Sequence, residues 1–205
     1  QEMQQQNNML RDQLAHSSDE VKELRGNLES VKREAMTDVL TDIGNRKYFD
    51  IKLRELADKA MTEGEPVSLL LFDVDNFQDF NDSHGHQLGD QVLRLVARTL
   101  KESVKGRDVV ARYGGEEFAV VLSGAGLEDA MKVGDGIRAL VAKRRIIRKS
   151  TGEQIAAITI SAGVARYRSG EPLSELIARS DAALYRAKDA GRNRVQAEMM
   201  PGRAA

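Results

Sequence analysis

Two short apolar runs, Val109-Val110-Ala111-Arg112-Tyr113 and Phe118-Ala119-Val120-Val121-Leu122, are separated only by Gly114-Gly115-Glu116-Glu117. Runs of this length, rich in β-branched and aromatic residues and bounded by glycine, read as the two strands of a hairpin. The Gly-Gly pair is expected to supply the positive φ angles of a tight two-residue turn and to let a ligand approach the backbone. Any fold for this chain must therefore hold two carboxylates at a hairpin tip. A third apolar run, Val67-Ser68-Leu69-Leu70-Leu71-Phe72, is too short for an ordinary helix and ends on Asp73, so it reads as a central strand. If both strand systems share one sheet, Asp73, Glu116 and Glu117 converge. Carboxylates so grouped suit a hard divalent cation, which takes oxygen ligands and keeps company with phosphates. Taken singly, Gly-Gly hairpins are common and Glu-Glu pairs are ordinarily solvated.

The remaining periodicity supplies helices around these strands. Residues 47–62 place Phe49, Leu53, Leu56 and Ala60 on one face, and Gly64-Glu65-Pro66 stops the helix. A second helix follows Gly89-Asp90, with Val92, Leu95, Val96, Thr99 and Leu100 inward; a third covers 127–141; residues 156–164 read as a strand and 172–190 as a last helix. Strand, helix, hairpin, helix and strand give an α+β domain with a βαββαβ core, helices packed on a mainly antiparallel sheet.

Before the domain, Met3, Asn7, Leu10, Leu14, Ser17, Val21, Leu24, Leu28, Val31 and Ala35 recur at alternating steps of four and three. That spacing is the seam of a coiled coil, and a lone Asn7 at an a position favours a parallel, in-register homodimer. A single helix packed on a globular domain would show a wider apolar face. The expected organisation is a stalk over 1–36, a catalytic domain over 37–198 and a flexible tail over 199–205. With neither proline nor a glycine cluster between stalk and domain, helix rotation is expected to reach the domain directly.

Composition narrows the alternatives. Basic and acidic residues number 31 and 32, so no overall field argues for nucleic acid. The chain has no cysteine, which excludes disulfides and thiolate zinc sites, and no apolar run approaches a membrane span. A cytoplasmic location without membrane contact is expected. The opening at Gln1, inside a polar repeat, points to a longer parent, in which an upstream region would provide any tether.

Phe72-Asp73-Val74-Asp75-Asn76-Phe77, then Asn81-Asp82-Ser83-His84-Gly85-His86-Gln87-Leu88-Gly89-Asp90, then Gly114 to Phe118, and Ala187-Lys188-Asp189-Ala190-Gly191-Arg192-Asn193 together resemble the GGDEF family of diguanylate cyclases, in its GGEEF variant. Asp38-Val39-Leu40-Thr41-Asp42-Ile43-Gly44-Asn45-Arg46 is similar to that family's opening motif. The resemblance implies a ferredoxin-like, palm-type core. It also implies condensation of two GTP into cyclic di-GMP, with release of two pyrophosphates, across two facing domains. Each 3′-hydroxyl attacks the partner's α-phosphate with the help of Mg²⁺, or of Mn²⁺ as the alternative. By motif match Asp73, the Val74 carbonyl and Glu116 are the metal ligands, and Glu117 is the secondary catalytic candidate. Glu116 also carries the general-base possibility, which stays open because a metal ligand is a poorer base. Asn81 and Asp90 match the guanine-reading positions, whereas read alone Asp90 is an ordinary helix N-cap and Asn81 a turn residue. Backbone amides near Asn76 and Phe77 are implied to contact phosphate.

Lys188 and Arg192, four apart, are expected on one face of the last helix, where cations suit a C-terminus. The resemblance assigns them to the β- and γ-phosphates instead. Asp75 is expected to steady the loop after the first strand, His84 and His86 to pack loops, and Asn45 and Arg46 to fix the junction after the stalk. Two departures bear on function. Gln78 stands where the family commonly has lysine, which removes one phosphate contact. Lys105-Gly106-Arg107-Asp108 stands where many members carry an Arg-x-x-Asp product-inhibition motif, and lysine lacks the guanidinium fork. Inhibition through Lys105 and Asp108 is expected to be weak; a tight cyclic di-GMP complex centred on them would refute this. The competing reading is a non-enzymatic GTP or cyclic di-GMP binding module signalling through its coiled coil.

Overall fold

A computed structural model describes residues 2–147, 154–155 and 158–199. Helix α1 (Glu2–Met36) is one unit, and the residues from Asp38 onward form another. Helix α1 runs unbroken through its single glycine, Gly26, carried by Gln, Glu, Leu, Lys, Arg and Met, all strong helix formers. Its seam residues Met3, Leu14, Leu24, Leu28 and Val31 are 62% to 83% exposed, an apolar stripe of the kind a second helix covers.

The second unit runs in the order α2 (Arg46–Glu63), β1 (Val67–Val74), α3 (Phe77–His84), α4 (His86–Ser103), β2 (Val109–Arg112), β3 (Glu117–Ser123) and α5 (Leu127–Lys143). It continues with β4 (Ile146–Ile147), β5 (Gln154–Ile155), β6 (Ile160–Arg166), α6 (Leu173–Asp189) and β7 (Val195–Ala197). The main sheet has the order β2-β3-β1-β6-β7, antiparallel except for the parallel pair β6 and β7. The first four positions are the expected ferredoxin-like core. β7 extends it at the edge and β4 with β5 forms a small separate two-stranded sheet, neither of which the sequence pattern predicts.

Strand β1 is buried along its whole length because both faces of the sheet are covered. Leu70, Phe72 and Val74 pack with Phe118, Val120 and the α4 and α5 residues Val92, Val96, Leu100, Ile137 and Val141. Leu69 and Leu71 pack on the other face with Ala119, Val121, Phe49, Leu53, Leu176 and Leu184, from α2 and α6. Truncating Phe72 or Phe118, both fully buried, removes contacts usually worth about 3–5 kcal/mol. Helix α6 lies unusually close to β6. A Cβ on Gly163 would overlap the Ser180 carbonyl and the Leu184 amide, so only glycine permits this approach.

Three sequence expectations need correction. The second helix starts at His86, not after Asp90, and a separate helix α3 precedes it, the two joined by Gly85 at φ 83°. Asp90 is thus inside the first turns of α4 and is no N-cap. The strand expected over 156–164 begins only at Ile160, and residues 156–157 lie outside the described residues. The expected tail, beyond Met199, also lies outside them.

Candidate active site

Strand pairing brings Asp73 opposite Glu117 on neighbouring strands, so both side chains leave the same face of the sheet. That face is the one α6 covers, and Lys188 near the helix end reaches across it: its Nζ bonds Asp73 Oδ2 at 2.8 Å. The loop between β2 and β3 is longer than a two-residue turn. The amides of Tyr113 and Gly114 both donate to the Glu117 carbonyl, at 2.8 and 3.2 Å, and neither Gly114 nor Gly115 has a left-handed φ. The expected positive-φ turn is therefore incorrect. Gly114 is needed for close approach instead, since a Cβ there would stand 2.5 Å from Glu117 Oε2. The Val74 amide donates to the Glu116 carbonyl at 3.3 Å, which joins the two backbone segments expected to share a cation.

Electrostatics mark Asp73 out. It is 4% exposed, and its pKa is pushed up to about 6, first by burial, against the lowering effect of Lys188, and further by Glu116 and Glu117. The Glu116 carboxyl is also raised, by burial and Glu117, with Lys188 opposing. Among the described residues no three acids form a group able to hold a metal by themselves. The expected three-carboxylate convergence is thus an electrostatic grouping and not a cage. The donor set still fits a hard divalent cation: two carboxylates whose ionisation the fold resists, plus backbone oxygens, with further oxygens left for phosphate to supply.

Lys188 pairs with Asp73, whereas Arg192 is not on the helix. α6 ends at Asp189 with Ala190 as its cap, and Arg192 lies in the following turn at φ 59°, its amide bonded to the Ala187 carbonyl at 3.0 Å. The shared helix face expected from their spacing is therefore corrected to a helix residue and an exposed turn residue. Across the sheet end, Asn76 caps α3 in a left-handed conformation, φ 53°, leaving the first amides of α3 without intrahelical partners. Asn81 on α3 is 9% exposed and its Oδ1 is buried with no hydrogen-bond partner. Gly89 lets α4 come that close: a Cβ there would overlap Asn81 Oδ1. Half-buried Asp90 is the next residue of α4 after this contact. Gln78 bonds Asp82 at 2.9 Å, and His84 packs on Phe80 with ring centroids 4.7 Å apart.

Sequence reasoning missed Arg112. Its Nε and Nη2 donate to the Gly115 carbonyl at 3.0 and 2.6 Å, and its Nη1 lies 3.3 Å from both Asp38 oxygens. Burial would raise the Asp38 carboxyl, but Thr41 and Arg112 outweigh it and hold it low. The signal was an arginine ending a strand two residues before the glycines. Asn45 caps α2 by accepting from the Tyr48 amide at 3.0 Å, and Arg46 lies over the Tyr113 ring at 3.5 Å. Asp108 accepts from the Lys105 amide at 2.9 Å and the Ser123 amide at 3.1 Å, so its carboxylate organises its own turn.

Residues 35–194 match the family model described as diguanylate cyclase, GGDEF domain. Diguanylate cyclase VdcA of Vibrio cholerae is 34% identical over 188 residues, covering 92% of this chain and 54% of the relative. Response regulator PleD of Caulobacter vibrioides is 40% identical over 173 residues, 84% of this chain and 38% of that protein. The chain thus spans about half or less of the length of these curated relatives. The coiled coil and GGDEF domain of DgcB from Caulobacter crescentus, solved in complex with c-di-GMP, superposes with a TM-score of 0.85 at 41% identity, covering 92% of this chain and 98% of that one. With a family model matching residues 35–194 and a solved domain superposing over 92% of its length, the chain belongs to the GGDEF diguanylate cyclase family.

Proposed function

We propose that this protein condenses two GTP molecules into cyclic di-GMP and two pyrophosphates, each of two copies presenting one nucleotide to the other. The observation that carries this reading is the buried Asp73, raised to about 6 beside Glu116, Glu117 and Lys188. A carboxylate kept uncomfortable in this way gains most when a cation and phosphates arrive. Asp73, Glu116 and the Val74 carbonyl would hold Mg²⁺, with Mn²⁺ as the alternative. When bound, the ion neutralises phosphate charge and lowers the pKa of the attacking hydroxyl.

The chain's own groups orient the substrate. The unpartnered Asn81 Oδ1 accepts from a guanine N–H, and Asp90 accepts from another. The free amides opening α3 take phosphate oxygens, as helix N-termini do. Lys188 exchanges Asp73 for the triphosphate, and Arg192 adds a planar fork from its turn. Glu117, in register with Asp73, keeps the secondary catalytic role. Control by product at Lys105 and Asp108 is weak, because Asp108 is engaged by backbone amides and Lys105 has no fork to offer.

The exposed seam of α1 supports a parallel coiled-coil homodimer, which would present two domains to each other. Inserting two residues after Glu34 rotates the following residues by about 200° at 3.6 residues per turn. Product formation should then change severalfold; an unaltered rate overturns the stalk reading. The activity itself is tested by incubating the protein with GTP and Mg²⁺ and resolving nucleotides by chromatography. Cyclic di-GMP is expected, and Glu116→Gln should lower its formation at least ~100-fold with the fold intact. GTP binding without turnover in the native protein would favour the binding-module reading.

A further inference from the structure

Asp75 lies two residues beyond Asp73 and is not one of the acids grouped at the loop. It is 6% exposed. Its Oδ1 accepts from Ser161 Oγ at 2.7 Å, and its Oδ2 accepts from Thr159 Oγ1 at 2.7 Å and from the backbone amide of Asn193 at 3.0 Å. Its own amide donates to the Thr159 carbonyl at 3.0 Å. One carboxylate thereby ties together the loop from β1 to α3, the approach to β6 and the turn between α6 and β7.

Two of those three segments leave ordinary backbone geometry. Asn76 sits at φ 53° and Asn193 at 45°, in the left-handed region that asparagine tolerates, and Arg192 at 59°, where an arginine is costly. Such conformations persist where their surroundings over-determine them. Asp75 is bonded directly to the amide of Asn193 and is covalently joined to Asn76, so it holds both turns. Arg138 completes the clamp by donating to Asn193 Oδ1 at 3.0 Å. The strain has a use. The turn at Asn76 aims the free amides of α3, and the turn at Arg192 places a guanidinium outside the helix.

We propose that Asp75 is a positioning residue for the triphosphate: its carboxylate locks the start of α3 and the Arg192 turn into one unit, so that amides and guanidinium grip the same phosphates. This rests on the GTP-binding reading above. Geometry and not charge is what the role needs, since all three partners of the side chain are neutral donors. An asparagine can keep its carbonyl oxygen on Thr159 and the Asn193 amide while its NH₂ faces Ser161, whose hydroxyl turns to accept.

The test is equilibrium binding of α,β-methylene-GTP, which cannot release pyrophosphate, against GMP, which lacks the outer phosphates, using the whole 205-residue chain with Mg²⁺. Asp75→Ala should weaken the triphosphate analogue about tenfold and GMP less than about twofold, and Asp75→Asn should restore most of the difference. In turnover the loss should appear in KM more than in kcat. Should Asp75→Ala not fold, the pair Thr159→Val with Ser161→Ala keeps the carboxylate, removes its side-chain donors and should shift selectivity the same way. Equal weakening of both ligands, or no weakening, overturns the inference while leaving the proposed function standing. A native protein that does not prefer the triphosphate analogue to GMP overturns both.

Discussion

Asp73 and Glu198 are both nearly withdrawn from water, at 4% and 8% exposure, yet their surroundings differ. Glu198 accepts from the Arg166 amide at 2.8 Å and from the guanidinium groups of both Arg168 and Arg179, and Arg179 pairs in turn with Glu171. Among the described residues Asp73 has one cation, the partly exposed Lys188, and two further carboxylates close enough to oppose its ionisation. Burial by itself therefore does not make a site. A buried acid surrounded by arginines is part of the framework; one left short of positive charge is held ready for a ligand that brings it.

The largest effect expected of this contrast is at Glu198. Glu198→Ala leaves Arg168 and Arg179 without their shared carboxylate, and Arg179 Nε already has no partner among the described residues. Thermal or urea unfolding should show a loss of about 3–5 kcal/mol. A loss below about 1 kcal/mol, the range of a surface pair, would remove the contrast.

Asp73→Asn should do the opposite, raising the stability of the ligand-free protein at pH 7 by up to ~3 kcal/mol while abolishing turnover. The sign follows from a folded pKa of about 6, above the ordinary 3.8 of an aspartate. The folded protein binds this proton more tightly than the unfolded chain, so the ionisation penalty is absent below about pH 4, grows as pH rises and is complete above about pH 6. Unfolding of native and variant chains across that window should diverge with rising pH. Parallel curves would show that Asp73 carries no penalty. The smallest effect belongs to Lys188→Met, which should cost only about 1 kcal/mol at pH 7, because Asp73, already raised to about 6, takes up a proton once its cation is gone. A cost equal to that of Glu198→Ala would mean that both acids are compensated alike.

Much of this arrangement was legible along the chain, for reasons particular residues make plain. The run from Val67 to Phe72 read as a central strand ending on Asp73, and its convergence with the hairpin followed on the condition that both strand systems share one sheet, which the pairing of β1 with β3 meets. Spacing was a poor guide where the backbone leaves regular geometry. Arg192 looked like a helix residue because nothing local shows that its amide bonds the Ala187 carbonyl from a left-handed turn. Gly114 and Gly115 looked like a positive-φ pair, yet the demand on Gly114 is the room it leaves for Glu117. The Asp75 and Glu198 networks were hidden because their partners are 84 to 118 and 19 to 32 residues away in sequence. Pairings over such distances exist only once the sheet has closed.

Gly163 also governs the charge at the other end of the helix it supports. With Ser180 and Leu184 resting directly on its backbone, α6 is seated like a beam on a notch, and the reach of Lys188 is fixed by that seating. Even one methyl group at 163 would act as a wedge under the beam, and the displaced far end would carry the ammonium off its carboxylate.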